Sequence, residues 1–171
     1  MASVKHAGRP AEHHHANTSN VTAIDDLDAK ILDLLLTDSR ASAREIGGKL
    51  GVSTSTVTAH MERLRESGVL RGFSAMVDFS KLGYELTVVT EILVSKGKLL
   101  ELENEIARLP GVCAVYDVTG EVDAIVISKC RNREELSHFT KGLLAMHFVE
   151  RTNSHVVLTT VKEDFRLPTQ T

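Results

Sequence analysis

The sequence predicts an α+β protein in two parts, a helical first part and a second part in which strands and helices alternate. Three observations carry that prediction. Between Asp25 and Leu64 apolar residues recur at three- and four-residue spacing, with capping side chains and glycines at the ends of the helical stretches. From about residue 87 the pattern turns to β-branched, apolar runs separated by two further helical stretches. With 171 residues, 42% of them hydrophobic and 25% charged, the chain holds enough apolar material for one ordinary domain or two small ones.

Residues 1–22 are polar and aperiodic and read as a flexible tail. The run His13, His14, His15 has no further ligand at fixed spacing, so a solvated tail rather than a metal site is expected there. A first helix runs over residues 25–37, with Leu27, Ile31, Leu34 and Leu35 on one face and Asp25 and Asp26 capping and charging its start. A second helix, over residues 43–50, has Ser42 as N-cap, Ile46 and Leu50 as its apolar pair, and Gly51 as its stop. Gly47 and Gly48 lie inside it, each costing about 1 kcal/mol relative to alanine, so this helix is expected to depend on packing. A third helix starts at Ser53, buries Val57, Met61 and Leu64, and stops at Gly68. Residues 69–76 read as two short extended pieces hinged near Gly72. Three helices and a small hairpin over residues 23–76 make a winged helix-turn-helix.

Residues 77–86 read as a hinge. A strand over residues 87–94 follows, then a helix over residues 99–109 with Leu99, Leu102, Ile106 and Leu109 on one side. Strands over residues 112–118 and 124–128, a helix over residues 133–146 carrying Leu136, Phe139, Leu143 and Leu144, and a long strand over residues 149–162 complete the second part. The order βαββαβ, within residues 87–164, is the ferredoxin-like pattern, and residues 165–171 form a C-terminal tail. One face of such a sheet needs cover, which a second copy of the chain supplies.

The net charge of -3, from 20 Lys and Arg against 23 Asp and Glu, rules out a globally basic nucleic-acid binder, but the charge is uneven. Residues 39–71 hold six basic side chains (Arg40, Arg44, Lys49, Arg63, Arg65, Arg71) against three acidic ones (Glu45, Glu62, Glu66), a local surplus of three. Cys113 and Cys130 support neither a disulfide framework nor a four-ligand zinc site and read as reduced, buried thiols. No apolar run approaches the roughly 20 residues of a membrane helix, and no secretory h-region follows Met1, so a cytoplasmic protein is expected. No pattern calls for a cofactor or a metal. The cysteines have no histidine at suggestive spacing, so a catalytic role is not expected.

Taken in order, several short motifs recur as a set. They are Ile24-Asp25 with Asp28, Ile31 and Leu32; Arg40; Leu50-Gly51-Val52-Ser53 with Ser55, Thr56 and Val57; Leu64; Gly68-Val69-Leu70; and Leu82-Gly83-Tyr84. Pro110-Gly111-Val112, Thr119-Gly120-Glu121-Val122-Asp123 and Arg151-Thr152-Asn153-Ser154 follow in the second part. Over nearly all of residues 24–164 the chain thereby resembles the Lrp/AsnC, or feast/famine, transcriptional regulators. The resemblance implies a DNA-binding domain joined by a hinge strand to a ligand-sensing ferredoxin-like (RAM) domain that dimerises and often assembles further, into tetramers or octamers. Two positions depart from the pattern: His60 stands where many members have arginine, and Phe148 where a glycine often precedes the last strand. An imidazole is a weaker phosphate partner than a guanidinium at neutral pH.

A helix-turn-helix inserts the first turns of its second helix into the major groove. The exposed positions expected there are Ser53, Thr54, Ser55, Thr58, Ala59, His60 and Arg63, which offer hydroxyls to several base edges, methyls to thymine, and one guanidinium fork to guanine or phosphate. Ser53 is equally well placed as the N-cap, and Thr54 or Ser55 as phosphate ligands at the helix start. Arg40, Arg44, Lys49, Arg65 and Arg71 either position the domain on phosphates or face solvent. So small a surplus of charge gives one head modest affinity. Two heads on a two-fold dimer, reading half-sites about 10 bp apart or multiples of that, restore it.

For residues 119–123 side-chain chemistry leaves two readings open. Backbone N–H groups around Gly120 could cradle a carboxylate while Glu121 or Asp123 accepts an ammonium group, or the five residues are a hairpin turn and nothing more. The resemblance implies the first reading, because this loop, with Gly120, Glu121, Val122 and Asp123, matches the one lining the family's effector site between dimers, and it makes an amino acid the expected effector. Thr152 and Ser154 share one side of the last strand by alternation and either add hydroxyls to that pocket or are ordinary strand residues. Two rival functions follow from the same residues. The negative net charge and His60 suit a ligand-binding oligomer with little DNA binding. The second rival is an enzyme resembling the siroheme decarboxylases, which carry a His-Asn-Tyr-rich, Trp-containing strand; here the stretch reads Val112, Cys113, Ala114, Val115, Tyr116, Asp117, and the chain has no Trp.

Overall fold

The computed structural model describes residues 22–169 except position 96, so the histidine run lies outside the described residues. These divide into two compact units, one formed by residues up to 76 together with 163–169, the other by residues 77–162.

The first unit, the head, contains α1 (Asp26–Thr37), α2 (Ala43–Leu50) and α3 (Thr54–Glu66). Side chains satisfy the free amides at each helix start: Asp25 and Asp28 form a reciprocal capping box on α1, Ser42 and Glu45 another on α2, and Ser53 accepts the Thr56 N–H on α3. Ile31, Leu35, Ile46 and Val57 close the core, with Leu27, Leu34, Leu50, Met61 and Leu70 packed around them. Gly47 explains how α2 tolerates its glycines. A Cβ there would stand 2.7 Å from the Val52 carbonyl oxygen, so the residue that weakens the isolated helix is the one that lets the following turn close on it. Gly47→Ala is therefore expected to cost about 2 kcal/mol, although alanine is the better helix former. Gly48→Ala, where a methyl meets nothing within 4 Å, should stabilise by up to about 1 kcal/mol. Denaturant melts of the two variants read the opposite signs.

The hairpin expected over residues 69–76 does not form a ladder: beyond Leu70 the segment is irregular, with Phe73 and Met76 exposed. Two short pieces without a third strand to back them are marginal on their own. The C-terminal residues return to the head. The Thr169 amide and hydroxyl donate to Asp33 Oδ1 at 2.9 and 2.7 Å, and the Arg166 guanidinium reaches the Leu36 carbonyl at 3.4 Å. A groove of about 910 Å³ on this unit is lined by Leu32, Leu36, Phe73, Met76 and Phe165 among others.

Hydrogen bonds hold three head carboxyls below the ordinary range, chiefly from Arg63 on Asp25, the Thr169 amide on Asp33 and the Ser42 amide on Glu45. Their folded-state values lie below the unfolded ones. Their stabilisation is thus complete above the ordinary carboxylate range and is lost as pH falls through the lowered values. Because Asp25 and Glu45 are exposed, Asp33 only half-buried, and all three screened by solvent, acid titration followed by circular dichroism should show a modest, progressive loss of the head's stability below about pH 4.

In the second unit a 3-10 turn, Phe79–Leu82, capped by Asp78, occupies the hinge. Then follow β1 (Leu86–Val94), α4 (Leu99–Ile106), β2 (Val112–Asp117), β3 (Ala124–Cys130), α5 (Arg133–Ala145) and β4 (Val149–Val156). The sheet is antiparallel in the order β2-β3-β1-β4. Its helix-covered face joins Ile92, Val94, Ala124 and Val126 to Leu102, Ile106 and Leu143. The other face carries the half-buried Val89, Leu93, Ile125 and Ile127.

Several details differ from expectation: α4 ends at Ile106 rather than 109, and β3 runs on to Cys130 rather than 128. β4 stops at Val156 instead of reaching 162, because the last bond to β1, Val157 N–H to Thr87 O at 2.9 Å, falls where β1 begins; Leu158 and Val161 beyond it are exposed. Leu144 faces solvent, one helical step round from the buried Leu143. Cys130 is buried, and burial pushes its thiol pKa up, but Cys113 is exposed where the register of β2 shifts between Val112 and Ala114. Among the described residues no helix is long and apolar enough to cross a membrane.

Candidate functional site

The start of α3 stands clear of the head. Ser53, Thr54, Ser55, Thr58 and Ala59 are exposed, while Val57 and Leu64 of the same helix are buried. Ser53 is held as the cap: its Oγ accepts the Thr56 N–H at 3.1 Å and lies 2.8 Å from both the Ser55 and the Thr56 hydroxyl. Thr58 donates to the Thr54 carbonyl at 2.9 Å. The Thr54 hydroxyl makes no hydrogen bond among the described residues, so it and the free amides at the helix start are the groups open to a phosphate or a base edge. Arg44 on α2 and Arg71 after α3 are exposed, and neither forms an ion pair among the described residues.

His60 and Arg63 are engaged elsewhere. Arg63 Nη2 donates to Asp25 Oδ2 at 2.8 Å and also bonds Asp28, and His60 Nδ1 lies 2.8 Å from Asp28 Oδ1. The carboxylates, Asp25 foremost, raise the guanidinium pKa further. The strongest cation expected on the DNA-reading face thus serves a contact between α3 and the start of α1. Sequence reasoning took Asp25 and Asp28 as a cap and a motif and missed this partnership. Its signal was present: positions 60 and 63 share a helical face, and two acidic residues sit at the N-cap and third position of α1. Asp25, Asp28 and His60 bring three potential metal ligands within 4.8 Å of one another. The Arg63 guanidinium already supplies the positive charge between them.

In the second unit, residues 119–123 link β2 to β3. Gly120 holds φ at 135°, a conformation that favours glycine. The loop is closed by Val118 N–H to Asp123 O at 3.0 Å, and Asp123 is tied to β1 through its own N–H to Ile92 O at 3.0 Å. Its Oδ2 accepts the Val94 N–H at 2.7 Å. Oδ1 accepts no hydrogen bond among the described residues. Glu121 is exposed and Val122 partly buried. The register sets Thr152 opposite Ile92 and Ser154 opposite Thr90, on the helix-covered face, and the Ser154 hydroxyl lies 2.9 Å from that of Thr90. No hydrogen bond joins either residue to the loop among the described residues.

A trihelical head that exposes the start of its third helix, followed in the same chain by a ferredoxin-like sheet, defines a two-part DNA-binding regulator. Residues 24–71 match the model of the winged helix-turn-helix DNA-binding family and residues 87–167 that of the Lrp/AsnC ligand binding domain. The chain is 51% identical over 144 residues to an uncharacterized HTH-type transcriptional regulator of Pyrococcus furiosus, covering 84% of this chain and 97% of that protein. It is 36% identical over 145 residues to the HTH-type transcriptional regulator FL11 of Pyrococcus horikoshii, covering 85% and 96%. AsnC of E. coli has the same fold, with a TM-score of 0.78 at 23% identity over 86% of this chain and 99% of that one. So has a Neisseria meningitidis transcriptional regulator in complex with L-Met, with a TM-score of 0.77 at 24% identity over 85% and 97%. The chain belongs to the Lrp/AsnC family, and it is a transcriptional regulator.

Proposed function

We propose that this regulator reads duplex DNA as a two-fold homodimer and responds to a free amino acid bound at residues 119–123. In this reading residues 23–76 grip DNA, 77–86 form the hinge and 87–164 sense the effector, in the cytoplasm and without a catalytic step. The exposed start of α3 carries the proposal: Thr54, Ser55 and Thr58 face outward there, with amides suited to phosphate and hydroxyls and methyls suited to base edges. Arg44 and Arg71 add phosphate contacts, whereas Ser53 acts as the cap. A half-buried apolar strip on this face of the sheet supports the dimer, since a second sheet laid against it removes Val89, Leu93, Ile125 and Ile127 from water, beside the polar group of Glu91, Asn153 and His155.

A gel-shift titration against the protein's own upstream region tests the first half. A shift weakened by salt is expected; none at micromolar protein would leave the ligand-binding oligomer as the better reading.

The amino-acid assignment is supported by the Gly120 conformation, by the remaining oxygen of Asp123, and by the likeness in fold to the regulator solved with L-Met. The ammonium group is assigned to Asp123, and Thr152 and Ser154 belong to the sheet in this reading. Thermal-shift screening of the twenty amino acids identifies the effector, because a binder raises the melting point by mass action. Asp123→Asn keeps an acceptor for the Val94 N–H but loses the charge. Calorimetry should find its affinity for that amino acid lowered at least about tenfold; wild-type affinity would refute the assignment.

A further inference from the structure

We propose that Arg63 and His60 are positioning residues that lock α3 to the start of α1 through Asp25 and Asp28, so that the grip of the head on DNA depends on two carboxylates. This rests on the DNA-binding reading above. Asp28 is 1% exposed, and its Oδ2 receives the Asp25 N–H at 3.1 Å, while Asp25 Oδ1 receives the Asp28 N–H at 2.8 Å. Onto this capping box α3 sets His60 Nδ1, 2.8 Å from Asp28 Oδ1, and Arg63 Nη2, which reaches both carboxylates. A carboxylate oxygen only accepts, so Nδ1 carries the proton toward Asp28, and its 3.2 Å separation from Arg63 Nη2 is a packing contact. Removing a partner from a buried carboxylate leaves an uncompensated charge inside the head.

Two physical arguments give this cluster its role. Arg63 lies about 14 Å along the helix axis from Thr54, more than two turns from the N-terminal end that a recognition helix presents to base edges. Furthermore, the buried stripe of Val57 and Leu64 fixes which face of α3 turns inward, whereas charged hydrogen bonds are directional and narrow the rotation about the helix axis that this packing leaves. That rotation decides whether Thr54, Ser55 and Thr58 face a groove together.

Simple electrostatics and positioning predict opposite results for one substitution, because neutralising Asp28 removes a negative charge from a DNA-binding head. The deciding experiment titrates the full-length protein with a duplex from its own upstream region, by fluorescence anisotropy over a salt series, at a temperature where circular dichroism shows each variant folded. Asp28→Asn is expected to weaken binding at least about tenfold. Arg63→Ala should weaken it comparably with the slope of log affinity against log salt unchanged, and Arg63→Lys should not rescue it, since an ammonium lacks the fork geometry.

Unchanged or tighter binding by Asp28→Asn, a slope reduced by about one in Arg63→Ala, or full rescue by lysine overturns the proposal in favour of a phosphate contact. If Asp28→Asn has lost its helical signal, the Arg63 slope and the lysine variant decide in its place. Absence of binding by the wild type overturns both this proposal and the DNA-binding reading. A binding wild type with indifferent variants overturns this proposal alone.

Discussion

Val57→Asp is expected to unfold the head and abolish DNA binding while the strand-rich unit stays folded. Val57 is 0% exposed and packs in one cluster with Ile31, Leu35 and Ile46, contributed by both other helices. A carboxylate in that site loses its hydration with no partner to replace it, and the apolar contacts of the valine are lost as well. Together these cost about 5 kcal/mol or more, comparable to the whole stability of a small domain. Circular dichroism should lose the helical contribution of α1–α3, the gel shift should vanish, and gel filtration should still report an assembly through the strand-rich unit if the dimer proposed above forms there. An unaltered melting curve would mean that α3 does not bury this face.

A second large effect is expected at Gly111, just before β2. Its φ is 80° and an added Cβ would stand 2.6 Å from the Lys129 carbonyl oxygen. Both obstacles are backbone, so no side-chain rotation relieves them. The close approach serves the sheet, because the Lys129 N–H donates to the Gly111 carbonyl at 2.8 Å. Gly111→Ala should therefore cost about 3 kcal/mol or more and open the β2–β3 pairing, which hydrogen exchange at the Lys129 amide would report. Since residues 119–123 are strung between those strands, the effector response proposed for them should fail with it. Gly120→Ala meets nothing within 4 Å but shares the glycine-favouring φ of 135°. Its stability cost should be smaller, about 1 kcal/mol, with the loss concentrated in the amino-acid binding proposed for this loop. Equal melting points for Gly111→Ala and wild type would show that the β2 register is wrong.

Much of the head was legible because its determinants are local. Asp25, Ser42 and Ser53 cap helices through bonds spanning three residues, and Ile31, Leu35, Ile46 and Val57 lie at helical spacing within or between consecutive elements. The strands of the second part were legible in type for the same reason, since β-branched runs and two amphipathic helices announce themselves over a few residues. The site was legible in its chemistry but only partly in its geometry. Thr54, Ser55 and Thr58 stand where helical phase puts them, whereas the fate of Arg63 was settled by carboxylates 35 and 38 positions away.

By itself the sequence determined the kinds of element, their caps and their order, because propensity, capping and periodicity act over one or two turns. Only the tertiary structure decided which strand lies beside which, that β4 ends at Val156 where β1 begins, that the C-terminal residues return to α1 at Asp33, and that Arg63 faces Asp28. Those outcomes turn on groups far apart in the chain competing for the same few hydrogen-bond partners, and the competition is resolved only when packing brings them within about 3 Å.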